Sequence, residues 1–226
     1  FTVVLDAQPD SNVVLSITSS DTGEATVTSS LTFTSANWDT AQTVTVTGVD
    51  DHLVDGTETT TLTVAVVDVA SDNNFDGVAD QTVSVSTTDD DVAGFTIVEL
   101  EGSTTVDESG STDTFTVVLN AQPDSDVVVA ITSSDTGEAS SNSPLTFTSS
   151  NWDTPQTVTV TGVDDFLLDG TITSDLVVAI VDASSDDNFD GVADQTVSVS
   201  TTDDDVAGFT IAETEGSTEV DEAGST

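Results

Sequence analysis

The sequence predicts an all-β protein built from tandem β-sandwich units, and three observations support that prediction. The 226-residue chain repeats itself without a gap at an offset of 114 residues, and about 87 of the 112 aligned pairs are identical. Short Thr- and Val-rich segments alternate polar and apolar residues, as half-buried strands do. No segment shows convincing helical periodicity. Because 114 residues is the size of a whole small domain, the repeat indicates near-identical domains in tandem.

The strands can be placed one by one in each copy. They are "NVVLSIT" (12–18), "TVTVTGV" (43–49 and 157–163), "QTVSVST" (81–87 and 195–201) and "GFTIVEL" (94–100). Segments of turn-forming residues such as "DAQPDS", "SSDTGE" and "DNNFDG" separate them. About seven strands in each repeat predict a sandwich of immunoglobulin-like architecture. The aromatic core candidates are Phe115, Phe147, Trp152 and Phe209.

The register of the repeat sets the expected domain boundaries. Residues 1–92 form a β-sandwich repeat that lacks its first strand, and residues 93–206 form a complete repeat. Residues 207–226 then carry the first strand of a following repeat. An open edge and an orphan strand are liabilities in isolation. We therefore expect neighbouring repeats of the same protein as partners, either in a longer head-to-tail array, which the continuous linkers favour, or by strand addition to another chain.

The charge of the chain excludes several classes of function. It carries 43 acidic residues, no Lys or Arg and one His, for a formal charge of −43. Nucleic acids and anionic membranes are bound through basic patches, so neither is an expected partner. No apolar run approaches the ~18 residues of a membrane-spanning helix, so direct membrane insertion is not expected. Without cysteines, neither disulfides nor thiolate metal sites can stabilise the fold.

The segment "STTDDDVAGFTI" occurs twice, at residues 86–97 and 200–211. Adjacent carboxylates about 4 Å apart repel one another by roughly 1 kcal/mol in water and roughly 4 kcal/mol at a protein surface. Since the chain has no basic side chain to offset this repulsion, the aspartates indicate a bound cation. Calcium suits them best, because it takes six to eight oxygen ligands in a flexible cage. Zinc is poorly served without Cys and with a single His.

The succession "VDESG", "FTVVL", "SSDTGEA", "VTVTGVDDFLLDG" and "STTDDDVAG" resembles Calx-β domains and the related immunoglobulin-like repeats of large bacterial surface adhesins. The likeness spans the whole 114-residue unit. It implies that several Ca²⁺ ions bind at one end of each sandwich, beside the linker to its neighbour. The ligands it implies in the complete repeat are Glu108, Asp135, Asp164, Asp165, Asp169, Asp203, Asp204 and Asp205. Those it implies in the first repeat are Asp21, Asp50, Asp51, Asp55, Asp89, Asp90 and Asp91, and the counterpart of Glu108 lies before Phe1.

A second acidic motif has the form D-x-N-x-D-G-x-x-D, at residues 72–80 and 186–194. Its spacing matches the opening of an EF-hand loop, but Val83 and Val197 stand where that loop has its bidentate Glu. The candidate calcium ligands are Asp72, Asn74, Asp76 and Asp80 in the first copy and Asp186, Asn188, Asp190 and Asp194 in the second. The alternative is that these residues only turn the chain.

Two functions remain open. We expect a structural repeat of an extracellular fibre, filament or adhesin stalk at a bacterial cell surface, rigidified by Ca²⁺; near-identical copies suit such a spacer. The alternative is a regulatory calcium sensor of the Calx-β type. Enzymatic activity is not expected, because aromatics make up 5% of the chain and His52 is replaced by Phe166 in the second copy. A solvated halophilic surface would scatter its acidic residues, whereas these cluster at the strand ends.

Overall fold

The computed structural model describes residues 1–213 together with residues 216, 220, 222 and 223. Within that part of the chain the secondary structure is β-strands and three-residue 3₁₀ turns, which confirms the predicted all-β class of tandem β-sandwiches. No helix of these residues is long and apolar enough to cross a membrane. The predicted strand at 207–226 lies partly outside the described residues, and residues 207–213 belong to no strand.

The second repeat forms two packed sheets. Its strands are β9 (Phe95–Glu99), β10 (Thr104–Asp107), β11 (Thr112–Leu119), β12 (Val127–Ser133), β13 (Ala139–Ser141), β14 (Leu145–Phe147), β15 (Gln156–Gly162), β16 (Ile172–Ile180) and β17 (Gln195–Thr202). One sheet has the order β10-β17-β16-β12-β14 and the other β13-β15-β11-β9. The pairing is antiparallel throughout, except that β10 runs parallel to β17.

This repeat has nine strands, where the sequence predicts about seven. The difference arises because two segments each contribute a strand to both sheets. Residues 95–107 form β9 in the four-stranded sheet and then β10 in the five-stranded sheet. Residues 139–147 divide into β13 and β14 in the same way. Such a crossing between sheets is not visible in the period-2 pattern.

The first repeat has a smaller set of paired strands than the second. Its strands are β1 (Thr2–Val3), β2 (Val13–Ser19), β3 (Ala25–Val27), β4 (Ser30–Phe33), β5 (Gln42–Thr43), β6 (Val46–Gly48), β7 (Thr57–Val66) and β8 (Gln81–Thr88). They form a sheet of order β4-β2-β7-β8 and two strand pairs, β1-β5 and β3-β6. The predicted strand at 43–49 is therefore divided in this repeat, whereas its copy, β15, is continuous. Counterparts of β9 and β10 are not among its strands.

The core of the second repeat lies between its sheets. Phe115 and Phe147 are fully buried there and Trp152 packs against them from a partly buried position. Phe189, in the 3₁₀ turn within the second acidic motif, is also fully buried and was not predicted. The prediction for Phe209 was wrong, because its side chain is 88% exposed. It aligns with the first-strand phenylalanine of the second repeat, and no sheet pairs with its own segment.

The two repeats contact one another through one loop of the first. The carbonyl of His52 accepts a hydrogen bond from the Gln122 backbone N–H at 2.7 Å, and Leu53 forms an isolated parallel bridge with Gln122. Val54 packs against the core of the second repeat. The His52 and Trp152 rings lie 5.5 Å apart, centroid to centroid. This loop therefore joins the end of one sandwich to the side of the next.

Candidate metal centre

Two acidic side chains lie side by side at one end of the second repeat, because β10 runs parallel to β17. Asp107 lies opposite Thr202 at the ends of these strands, and the Glu108 N–H donates to the Thr202 carbonyl at 3.1 Å. Glu108 and Asp203 are thus the next residues on neighbouring strands. The parallel pairing places the "VDESG" and "DDD" segments at the same end of the sandwich.

The pairing of β13 with β15 brings two further loops to that end. The start of β13 pairs with the end of β15, with Ala139 opposite Gly162. Glu138 immediately precedes this pair, and the acidic loop 163–170 immediately follows it. The topology thus gathers four loops whose acidic residues are far apart in the sequence.

The gathered carboxylates form one connected group. Ligand oxygens of Glu108, Asp203 and Asp205 lie within 4.8 Å of one another, and so do those of Glu108, Glu138 and Asp169. Glu108 belongs to both sets and links them. We refer to these five residues as the second-repeat cluster.

Glu108 is the most unusual member of the cluster. Its side chain is 0% exposed, and among the described residues neither of its carboxylate oxygens has a hydrogen-bond partner. One oxygen of Glu138 and one of Asp205 are likewise buried and unpartnered within that part of the structure. Burying a polar group without a partner is costly, and burying a charge without one costs far more. Four unpartnered buried oxygens in one cluster indicate a missing positive ligand.

The pKa values in the cluster also show that burial and neighbouring negative charges disfavour its ionised carboxylates. Burial, together with the nearby Asp203, Asp165 and Asp169 charges, raises the pKa of Glu108 to about 7. Burial and the Asp203 charge also raise the pKa of Asp205. In a metal-free molecule at neutral pH, Glu108 is therefore about half protonated.

The backbone holds other carboxylates of this end in place. The N–H of Gly170 donates to Asp203 Oδ2 at 2.9 Å and that of Asp205 donates to Oδ1 at 2.7 Å. These bonds lower the pKa of Asp203, so this carboxylate stays ionised. Asp165 Oδ1 accepts from the N–H groups of Phe166 and Leu167, each at 2.6 Å. Asp203 thus fixes the loop at Gly170 and the backbone of Asp205. The carboxylate of Asp205 lies close to that of Glu108.

The first repeat carries a corresponding cluster without a counterpart of Glu108. Its carboxylate oxygens gather in two sets within 4.8 Å, around a pocket of about 30 Å³. The sets are Glu24, Asp51 and Asp55, and Asp50, Asp90 and Asp91; we refer to these six residues as the first-repeat cluster. Nothing links the two sets as Glu108 does in the second repeat.

The electrostatics of the first-repeat cluster follow the same pattern. Burial and the charges of Asp55 and Asp51 raise the pKa of Glu24. Asp89, like Asp203, accepts backbone hydrogen bonds from Gly56 at 2.9 Å and Asp91 at 2.7 Å, and these lower its pKa. Each repeat therefore builds one anchored aspartate beside carboxylates that destabilise one another.

Among the described residues, the two clusters contain nine of the fifteen ligands that the resemblance implies and none of the eight named in the second acidic motif. Asp135 and Asp21 instead accept a hydrogen bond from the glycine two residues on, at 3.0 and 2.8 Å, and so shape a turn. Among the described residues, Asp164, Asp165 and Asp204 belong to neither set of the second-repeat cluster, and Asp89 belongs to neither set of the first. Whether any of these residues binds a metal stays a prediction.

Two cluster residues were missed by the sequence analysis. Glu138 and Glu24 end the "SSDTGE" segment, in which the analysis chose the Asp. The available signal was their position: each immediately precedes a short strand, and that strand pairs with the end of the "TVTVTG" strand that leads into "GVDD".

The second acidic motif has a different role in the fold. Asp72 is buried, and its carboxylate accepts from the backbone N–H groups of Asp10 at 2.6 Å, Ser11 at 3.1 Å and Asn74 at 2.9 Å. These bonds lower its pKa. Asp186 makes the equivalent bonds to Ser125 and Asn188 in the second repeat. The first position of the motif caps a 3₁₀ turn and ties two loops together, and calcium binding by this loop remains untested.

The two clusters fit a hard divalent cation. All of their donors are carboxylate oxygens, which are the ligands Ca²⁺ prefers. Four oxygens of the second-repeat cluster are already buried and unpartnered, so an ion there would satisfy groups that the described residues leave unsatisfied. Mg²⁺ is a poorer match, because it keeps several waters and uses few carboxylates.

Comparisons with known proteins give structural neighbours of low similarity. No family model and no curated protein sequence matches the chain. The crystal structure of the S-layer protein rSbsC(31-844) aligns at 18% identity with a TM-score of 0.38, over 88% of this chain and 21% of that one. The apo form of the Calx CBD1 domain aligns at 16% identity with a TM-score of 0.35, over 49% of this chain and 98% of that one. This chain therefore spans about a fifth of the S-layer protein.

Proposed function

We propose that the chain is a structural, non-enzymatic repeat of an extracellular fibre, filament or adhesin stalk, in which Ca²⁺ stabilises each sandwich and stiffens the junctions. The observation that carries this proposal is Glu108: a fully buried carboxylate, without a hydrogen-bond partner among the described residues, at the centre of four other carboxylates. Such a group is stable in its ionised form only with a cation beside it.

The position of the first-repeat cluster supports a role at the junction. Asp51 and Asp55 belong to this cluster, and the residues between them contact the second repeat through Leu53 and Val54. An ion held by the two aspartates would fix both ends of the contacting loop. Ion binding and the angle between the repeats would then be coupled through the three residues between these aspartates.

An extracellular setting matches the ion requirement and the composition. Extracellular calcium modules bind with dissociation constants of about 10⁻⁴–10⁻³ M. At a hundredfold excess over such a constant, an ion that binds only the folded state stabilises it by about 2.7 kcal/mol per site. The near-identity of the two repeats favours a spacer over a sensor, since a sensor needs sites tuned differently.

A thermal melt tests the proposal. The chain is melted in EDTA, then in increasing CaCl₂, with MgCl₂ and with NaCl at matched ionic strength. We expect a rise in Tm that is specific to Ca²⁺, on the order of 10–20 °C for one site on a domain of this size. Glu108→Gln should abolish most of the rise in the second repeat, whereas Asp124→Asn, which removes one charge from an exposed loop, should leave it unchanged. An equal gain in NaCl alone would show a screened acidic surface and overturn the proposal.

A further inference from the structure

An N-terminal strand and the C-terminal strand of the second repeat lie side by side. β10 runs parallel to β17, with Thr104 opposite Val199 and Asp107 opposite Thr202. Just beyond the last pair, the Glu108 N–H donates to the Thr202 carbonyl at 3.1 Å. Both strands therefore point toward the end of the sandwich that carries the second-repeat cluster.

The chain enters and leaves this repeat at opposite ends of the sandwich. It enters at Phe95, the first residue of β9, whose carbonyl accepts from Nε2 of Gln195, the first residue of β17, at 2.8 Å. It leaves after Thr202, the last residue of β17, beside the cluster. At about 3.3 Å per residue, the eight residues of β17 separate these two points by roughly 25 Å. Tension along the chain therefore pulls β9 and β10 toward one end of the sandwich and β17 toward the other.

This geometry loads the hydrogen bonds between β10 and β17 in shear. Strands that are pulled in opposite directions along their own axes must slide past one another, so their hydrogen bonds carry the load together. Strands that are pulled apart from one end break their bonds one after another. The bonds of a parallel pair are evenly spaced along the strands, and forced unfolding is governed by the height of the unfolding barrier. A barrier at which several bonds break together is the higher one.

β10 is held on its other sides as well. The N–H of Thr105 donates to Asp113 Oδ2 at 2.8 Å, and the N–H of Asp107 donates to Ser111 Oγ at 2.7 Å. A Cβ on Gly162 would lie 1.9 Å from the Asp107 carbonyl oxygen, so only glycine admits the end of β10 at this point. Sliding of β10 along β17 would break these bonds and this close contact too.

The second-repeat cluster lies at the ends of both strands. Glu108 follows β10 directly, and Asp203 and Asp205 follow β17. Ligand oxygens of these three residues lie within 4.8 Å of one another. A slip of one residue between the strands is a displacement of about 3.3 Å, which would draw Glu108 away from Asp203. An ion shared by the three carboxylates would oppose that displacement directly.

We propose that the β10–β17 pair is the mechanical clamp of the second repeat, and that a cation held by Glu108, Asp203 and Asp205 fastens the ends of this clamp against sliding. The strand order alone produces the clamp, and the ion adds to it. The resistance depends on the direction of pulling, which distinguishes it from thermal stabilisation. Its value to the protein rests on the proposed function, since a stalk or fibre carries tension along its chain.

Single-molecule force spectroscopy of the full 226-residue chain tests the clamp, with handles on pairs of engineered cysteines, since the sequence has none. Val92→Cys with Val206→Cys, at positions that are 75% and 88% exposed, pulls the two strands in opposite directions. Ser109→Cys with Val206→Cys, both exposed, pulls from the cluster end alone. In EDTA at one constant force, we expect the first pair to give a lifetime at least about tenfold longer, because several hydrogen bonds must break together. Equal lifetimes in the two directions would overturn the proposal.

The same measurement in CaCl₂ tests the ion's part. At a hundredfold excess over the dissociation constant, Ca²⁺ should lengthen the lifetime of the Val92–Val206 pair by up to about a hundredfold, because the ion must leave before the strands slide. Glu108→Gln should remove this gain without shortening the lifetime in EDTA. Asp124→Asn, which removes one charge from an exposed loop, should keep the gain.

Thermal melts of the same variants separate this proposal from the proposed function. A Tm that rises specifically with Ca²⁺ while the lifetime under force stays unchanged would overturn the fastening by the ion and leave the proposed function standing. A chain in which Ca²⁺ changes neither quantity would overturn the proposed function and the fastening together. The comparison of the two pulling directions in EDTA decides the clamp in either case.

Discussion

Calcium binding by the second-repeat cluster should strengthen as the pH rises through 7. The perturbation is a pH change, and the group that responds is Glu108, whose pKa is raised to about 7 by burial and neighbouring carboxylates. An ion and a proton compete for the same buried carboxylate, since metal ligands of this kind must be deprotonated. Binding at low pH therefore releases a proton, and binding at high pH does not.

The magnitude follows from that value. With a pKa of about 7, Glu108 is roughly 90% protonated at pH 6 and roughly 10% at pH 8, so the apparent affinity rises about tenfold between them. The metal-free protein should behave in the opposite way. A carboxylate with a raised pKa stabilises the fold fully below its unfolded value, and that stability is lost as the pH rises through 7. Without calcium, the second repeat should thus be more stable at pH 5 than at pH 8.

Isothermal titration calorimetry at pH 6, 7 and 8, in pairs of buffers with different ionisation enthalpies, measures both the affinity and the protons released. We expect about 0.9 proton per ion at this site at pH 6 and about 0.1 at pH 8. Chemical denaturation in EDTA across the same range supplies the metal-free trend. In Glu108→Gln the proton release should vanish, and Asp124→Asn should retain it. An affinity that is flat between pH 6 and pH 8, or an unchanged pH dependence in Glu108→Gln, would refute the reasoning.

Two further predictions each compare a pair of residues within the chain. Glu138→Gln should weaken calcium binding in calorimetry by about tenfold or more, whereas Asp135→Asn, which alters a turn, should leave the affinity within about threefold. Phe189→Ala should destabilise its repeat by about 3–5 kcal/mol in urea denaturation, because Phe189 is fully buried. Phe75→Ala should lower the free energy of unfolding of the first repeat by clearly less, because Phe75 is only partly buried. Equal effects within either pair would contradict the corresponding prediction.

The strand pattern was readable from the sequence because period-2 alternation is a local property. The segments at 81–87, 94–100 and 195–201 match β8, β9 and β17 to within a residue or so. What the pattern did not reveal is which sheet a strand joins. The passage of residues 95–107 from one sheet to the other depends on a 3₁₀ turn at Leu100–Gly102 and on packing against distant strands. It therefore has no local signature.

The sequence predicted that acidic segments at the strand ends gather in one place, but not which of their residues do so. The reason is again that membership depends on the pairing of distant strands. Three aspartates in a row are conspicuous, yet Asp204 belongs to neither set of the second-repeat cluster within the described residues, and Asp203 is engaged by backbone N–H groups. The less conspicuous Glu138 is a member. Its membership depends on the pairing of β13 with the end of β15, which joins residues on different hairpins. Phe209 failed as a core residue because identity of sequence does not supply a partner sheet.

One loop of the first repeat carries both cluster carboxylates and the residues that contact the next sandwich. The corresponding loop of the second repeat carries the same combination of acidic and apolar residues. Residues 50–55 carry three members of the first-repeat cluster and, between them, the side chains that contact the next sandwich. Residues 164–169 repeat this arrangement, with Asp169 in the cluster and Phe166 exposed. The carboxylates repel one another without a cation, so holding them together in the metal-free loops costs free energy. Bound calcium would hold the aspartates together and so present the apolar residues between them. Ion binding and the contact between the repeats then depend on one loop conformation, and calcium should strengthen both together.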